Sequence, residues 1–148
     1  MPANRSAVSL AILGFIAGAL SVITFMSAGW AIVQGAGFVP ASAPALWSWT
    51  PPIPPFNVPR VLNLMFWGGV WGLVLALLLS RLSGAASWIA WFLAGAIAVA
   101  AGAVFVVPAI KGLPIVVTPQ RLMISAFLNG IYGLGAAAWL SVLPGRRA

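Results

Sequence analysis

The sequence contains no aspartate, glutamate, histidine or cysteine. General acid–base and nucleophilic catalysis rely on these side chains, so an enzyme is not expected. Zinc, iron and haem sites use the same residue types, so we expect neither a metal nor a cofactor held by this chain alone. Coupling to a proton or sodium gradient commonly uses carboxylates inside the membrane, and these are also missing.

What the chain has in abundance is apolar surface. Of its 148 residues 63% are hydrophobic and only 5% are charged, and 16 are glycine. A water-soluble domain has roughly a quarter charged residues, so this composition predicts an integral membrane protein. All seven charges are positive. They are scattered among apolar runs rather than clustered on one face, and nucleic-acid binding is therefore not expected.

Four apolar runs are long enough to cross a bilayer, whose core of about 30 Å needs about 20 helical residues. They cover residues 10–33, 61–80, 88–110 and 122–143. The first run resembles a secretory signal, but it is longer than the usual apolar core of such a signal, and we expect it to be retained. The predicted fold is a single all-α membrane domain over residues 1–148 with four transmembrane helices.

The positive residues suggest an orientation. Arg5, Arg81, Arg146 and Arg147 fall on one side of the four-helix model, and Arg60, Lys111 and Arg121 fall on the other. Cytoplasmic segments carry an excess of lysine and arginine, so both termini are expected in the cytoplasm, with a bacterial inner membrane as the location.

Two segments of the chain resemble each other. A shift of 61 residues places Arg60 on Arg121. The same shift places the glycine-rich stretch after Arg60 on the glycine-rich stretch after Arg121. A shift of 77 residues places residues 15–22 (FIAGALSV) on residues 92–99 (FLAGAIAV). These matches predict a tandem duplication of a two-helix unit, with units at about 10–80 and 88–143. Because each unit crosses twice, the repeats are parallel, related by an axis along the membrane normal.

Small residues recur at helical spacing in all four runs. Within a membrane, such residues let helix backbones approach closely, so their faces are expected to be packing surfaces. The predicted packing residues are Gly14, Gly18, Gly69, Gly72, Ala76, Gly95, Gly102, Gly130, Gly133 and Ala137. Trp67 and Trp71 flank one of these faces, and the sequence does not distinguish lipid, a partner chain, a pigment or a quinone as their neighbour.

The polar residues of the runs allow two uses. Arg60 and Arg121 each begin a predicted helix, so with Lys111 they are candidate contacts for an anion, a lipid or a partner protein. Asn63, Asn129 and Tyr132 are candidates for a polar lining. Hydrogen bonding between helices is the simpler interpretation of these three.

Two functions remain open. One is a non-enzymatic structural or accessory subunit, which packs through its Gly/Ala-rich faces against other membrane subunits or copies of itself. The other is an uncoupled channel or facilitator for a small neutral or anionic solute, because positive charge without carboxylates repels cations. Membrane lipids are expected partners in both cases.

Overall fold

Four long helices form the described part of the chain, which in this computed structural model comprises residues 6–54 and 56–143. They are α1 (Ala7–Gly35), α2 (Arg60–Leu79), α3 (Gly84–Ile110) and α4 (Pro119–Val142). Each is long and apolar enough to cross a membrane, which confirms the predicted number of such helices. Among the described residues, the remaining regular structure is one antiparallel bridge between Ile53 and Val58.

Polar caps extend two of the helices beyond the predicted apolar runs. The Ser6 hydroxyl accepts a hydrogen bond from the backbone N–H of Ser9 at 3.1 Å, and α1 starts at residue 7 rather than residue 10. Thr118 similarly accepts from the N–H of Arg121 at 3.2 Å, with Pro119 in the first helical position of α4. Such caps satisfy backbone donors that the first turn leaves free.

Widened π-helical turns interrupt the first and third helices. In α1 the turn covers Val22–Met26, and in α3 two such turns cover Gly95–Val99 and Gly102–Val106. The Ser27 hydroxyl donates to the carbonyl oxygen of Val22 at 2.9 Å and so adds a hydrogen bond to the irregular turn of α1. Turns of this kind are uncommon and often lie at functional sites.

The helices pack in the order α2, α1, α4, α3. α1 has its most extensive contact with α2, and α4 packs on both α1 and α3. The backbone of α2 approaches that of α3 mainly along the Gly84–Ala94 part of α3, next to the short connection between them. The central core comprises Val22, Leu75, Ala76, Trp91, Val99, Tyr132, Ala136 and Ala137. The bundle is therefore closed on three sides and less tightly closed between α2 and α3.

The long connection from α1 to α2 is held to the end of the bundle. The Gln34 side-chain amide donates to three of its carbonyl oxygens, those of Pro40, Ala41 and Ala43, at 3.0 to 3.2 Å. Its aromatic residues Trp47, Trp49 and Phe56 are exposed. The connection is thus an ordered cap with aromatic side chains on its outer surface.

Candidate functional site

Glycines bring the backbones of α1 and α2 into direct contact. A Cβ on Gly18 would overlap the carbonyl oxygen of Gly68, and a Cβ on Gly72 would overlap the carbonyl oxygen of Gly14. A Cβ on Gly14 would also lie 2.5 Å from the Cβ of Ala76. The predicted packing residues Gly14, Gly18, Gly72 and Ala76 therefore face each other, and the space between them has no room for one extra carbon atom.

The backbones of α3 and α4 meet in the same way. A Cβ on Gly95 would overlap the carbonyl oxygen of Asn129, and a Cβ on Gly133 would overlap that of Trp91. These contacts correspond to those between α1 and α2 when the first helix is shifted by 77 residues and the second by 61. The two helix pairs thus use equivalent positions for their closest approach.

A phenylalanine covers a glycine in each pair. A Cβ on Gly69 would lie 2.6 Å from the ring of Phe15, and a Cβ on Gly130 would lie 2.7 Å from the ring of Phe92. The same two shifts superimpose these pairs. The spacing of small residues does not indicate these phenylalanines as contact residues, although both lie in the matched stretches 15–22 and 92–99.

Among the described residues, the hydrogen bonds between α1 and α4 have no counterpart between α3 and α2. Ser21 donates to the carbonyl oxygen of Tyr132 at 2.7 Å, and the Tyr132 hydroxyl donates to that of Gly68 at 2.5 Å. The Trp139 indole N–H also donates to the Thr24 hydroxyl at 3.0 Å. Ser21 and Tyr132 are both almost fully buried. These hydrogen bonds join three helices across the centre of the bundle.

A cavity of about 290 Å³ lies between α2 and α3. Val22 and Met26 of α1 and Tyr132 and Asn129 of α4 form its inner wall. Asn63 lines it near the start of α2, so the cavity contains all three candidate polar-lining residues. Gly102, a predicted packing residue of α3, lies against α2 beside the cavity, because a Cβ there would overlap the indole ring of Trp71, another lining residue.

Two cations line this first cavity at the end where α2 begins. The Lys111 ammonium donates to Oδ1 of Asn63 at 2.8 Å and so links the end of α3 to the first turn of α2. Burial lowers the pKa of Lys111 below its ordinary value. The Arg60 guanidinium carbon lies 5.9 Å from the ring centroid of Trp30, a cation–π distance.

A second cavity, of about 540 Å³, adjoins the first. The two share Met26, Arg60, Ala103 and Asn129 as lining residues, and the second also contains Arg121 and Trp30. Arg60 is half-buried whereas Arg121 is exposed, so the two arginines have different surroundings in spite of their equivalent sequence positions. The structure thus places Arg60, Lys111 and Arg121 at one end of the bundle, around two adjoining cavities.

This arrangement is suited to binding an anion. Arginine and lysine offer charge-assisted hydrogen bonds, and no side chain in the sequence can answer them with a negative charge.

Comparison of the chain with protein-family models, with curated proteins and with solved structures gives no match. Function therefore has to be inferred from the geometry of the chain itself.

Proposed function

We propose that the protein is an integral membrane protein acting as a non-enzymatic structural or accessory subunit. The observation that carries the proposal is the outer surface of the bundle. Every helix turns large apolar side chains outward: Ile32 is 60% exposed, Leu78 70%, Ile97 67% and Met123 67%. Lipid tails or apolar helices of other subunits are the surroundings that such a surface requires.

The small-residue faces are occupied within the chain. Gly14, Gly18 and Gly72 contact one another across α1 and α2, and Gly95 and Gly133 do so across α3 and α4. They are therefore not available to dock another subunit, although docking is the role that the sequence alone suggests for them. The subunit instead enters a complex as a preformed four-helix unit, and its outward Ile, Leu and Phe side chains contact partners or copies of itself.

A tandem duplication is the second part of the proposal. It is supported by the equivalent glycine and phenylalanine contacts of the two helix pairs, which obey the same two shifts as the sequence. The polar bonds of Ser21 and Tyr132, present on one side of the bundle, reflect later divergence of the two units. The proposed units are the pair α1 and α2 and the pair α3 and α4.

The geometry favours a subunit over a channel through the bundle axis. Beyond Tyr132 and Ser21, towards the end with the short connection, the axis is filled by the buried residues Leu75, Ala76 and Ala136. The first cavity therefore ends blindly at the centre of the bundle. A solute path along the repeat axis would require these side chains and the glycine contacts beside them to separate.

In the proposed orientation both termini lie in the cytoplasm. The proposed membrane is a bacterial inner membrane. Arg5, Arg146 and Arg147, on which the orientation partly depends, lie outside the described residues. Of the remaining charges, Arg60, Lys111 and Arg121 share one end of the bundle, and Arg81 lies in the short connection at the other end.

Purification in a mild detergent, followed by reconstitution, tests the proposed function. We expect the tagged protein to purify with other membrane subunits, or with further copies of itself, in a fixed ratio. Liposomes that contain the protein alone should be no more permeable to small neutral and anionic solutes than empty liposomes. A single-chain particle that gives solute flux would contradict the subunit and support the facilitator.

A further inference from the structure

We propose that the first cavity binds an amphiphile with one anionic group on an apolar tail, with the anion held between Arg60 and Lys111. This site belongs to the chain itself and does not depend on whether the protein is part of a larger complex.

The two cations have hydrogen-bonding capacity to spare. In the part of the chain that the structure describes, the Arg60 guanidinium interacts only with the ring of Trp30, which takes none of its N–H donors. The Lys111 ammonium has three donors and uses one on Asn63. Asn63 lies three residues after Arg60, on the same face of α2, so its bond to Lys111 holds the ammonium beside the helix face that carries Arg60, and both cations line the cavity.

Behind the cations the cavity is lined mainly by apolar side chains, with Asn129 and Tyr132 as the polar exceptions. Leu64, Trp67 and Trp71 of α2 face Val99, Ala103 and Val107 of α3 across it. From Arg60 to Trp71 is eleven residues, or about 16 Å along the helix. A chain of apolar carbon atoms fits this depth, whereas a free inorganic anion would lose its hydration against apolar walls.

The depth also argues against a carboxylate from a partner protein. An aspartate or glutamate side chain that reached the two cations would leave the apolar part of the cavity behind them unfilled. A tail that continues inward from the anion fills it and gains contact with both indole rings. The backbones of α2 and α3 contact each other mainly at the opposite end, so the tail can enter between these helices.

Binding can be measured by quenching of tryptophan fluorescence in a nonionic detergent. The probes are dibromostearate, a lysophosphatidic acid with the same brominated chain, and dibromostearyl alcohol as the uncharged control. Bromine quenches indoles that it contacts, and Trp67 and Trp71 line the cavity. We expect saturable quenching by at least one anionic probe, with an affinity about tenfold or more above that of the alcohol. Tighter binding of the carboxylate identifies a free fatty acid, and tighter binding of the phosphate identifies a phospholipid headgroup.

Variants separate the charge from the cavity. Arg60→Gln should weaken the anionic probe about tenfold or more and leave the alcohol unchanged, whereas Arg60→Lys should keep part of the affinity. Arg81→Gln removes an exposed charge at the other end and should have no effect. Ala103→Phe fills the cavity and should weaken all probes, while Ile97→Phe on the outer surface should not. Circular dichroism and elution volume establish that each variant is folded.

Several results would overturn the proposal. Equal affinity for the alcohol and both anions would remove the role of the cations. Equal losses in Arg60→Gln and Arg81→Gln would show a general charge effect. If neither anion binds and Arg60→Gln releases a co-purifying protein, the anion is a protein carboxylate and the cavity is not a site for amphiphiles.

Discussion

Replacing Gly72 by alanine tests the direct backbone contact between α1 and α2. The new Cβ would overlap the Gly14 carbonyl oxygen and would lie 2.7 Å from the Cα of Gly18. Both neighbours are backbone atoms, so no side-chain rotation can relieve the overlap and the helices must move apart. Overpacking of a tight interior by one carbon costs about 1–3 kcal/mol.

Gly35→Ala is the matched control. Gly35 ends α1 and has nothing within 4 Å of the position of a Cβ, so alanine meets open space there. The preference of helices for alanine over glycine, up to about 1 kcal/mol, favours both variants. The difference between the two free energies of unfolding therefore measures the overpacking, about 1–3 kcal/mol.

Reversible unfolding in mixed micelles, followed by circular dichroism, gives these free energies. We expect Gly72→Ala to be less stable than Gly35→Ala by the stated amount, and Gly133→Ala to resemble Gly72→Ala because Gly133 makes the equivalent contact with α3. If Gly72→Ala proves as stable as Gly35→Ala, the backbones are not in contact and the packing described for α1 and α2 is wrong.

Three further predictions concern other parts of the chain. Tyr132→Phe removes the hydroxyl that donates to Gly68 and should lower the free energy of unfolding by about 1 kcal/mol in the same assay; an unchanged value would show that the bond is not formed. Arg121→Gln should weaken co-purification of partner subunits more than Arg60→Gln does, because Arg121 is exposed whereas Arg60 is half-buried; equal retention by both variants would exclude Arg121 from docking. Reporter fusions at the C-terminus and at Trp47 should report opposite sides of the membrane, and the same side for both would disprove the four-span topology.

The helices could be predicted from composition because each apolar run is longer than a soluble helix requires and contains few charges. The first residues of α1 and α4 could not be predicted in this way, because the polar cap and the first helical turn precede the apolar run. Ser6 and Thr118 extend the helices by three residues through hydrogen bonds to the backbone, an effect that hydropathy does not record. The π-helical turns of α1 and α3 were likewise missed, because they depend on packing rather than on a local residue pattern.

The glycine positions were recognisable, but their partners were not. Spacing placed Gly14, Gly18, Gly69 and Gly72 along helix faces, whereas only the fold shows that Gly68 rather than Gly69 contacts the backbone of α1. Gly69 lies one position further round α2, under the ring of Phe15. Successive residues of a helix point about 100° apart. The spacing of small residues indicates a broad face of the helix and does not determine which of two neighbouring glycines makes the contact.

The cavity followed from no single motif. In the sequence Arg60, Lys111 and Asn63 are separate polar residues, and the hydrogen bond between Lys111 and Asn63 joins segments 48 positions apart. The space behind them depends on the relative positions of α2 and α3, which hydropathy does not specify. The asymmetry between Arg60 and Arg121 was also unexpected, because a duplication alone predicts equal surroundings.

Photo-crosslinking in intact membranes tests most directly the claim that this chain is a subunit of a larger assembly. A photoreactive amino acid would replace, one at a time, the outward residues Ile32, Leu78, Ile97 and Met123, with the buried Trp91, whose side chain is already large, as the control. We expect discrete protein adducts from at least one outward position and none from position 91. Adducts with lipid alone at all four outward positions would contradict the account.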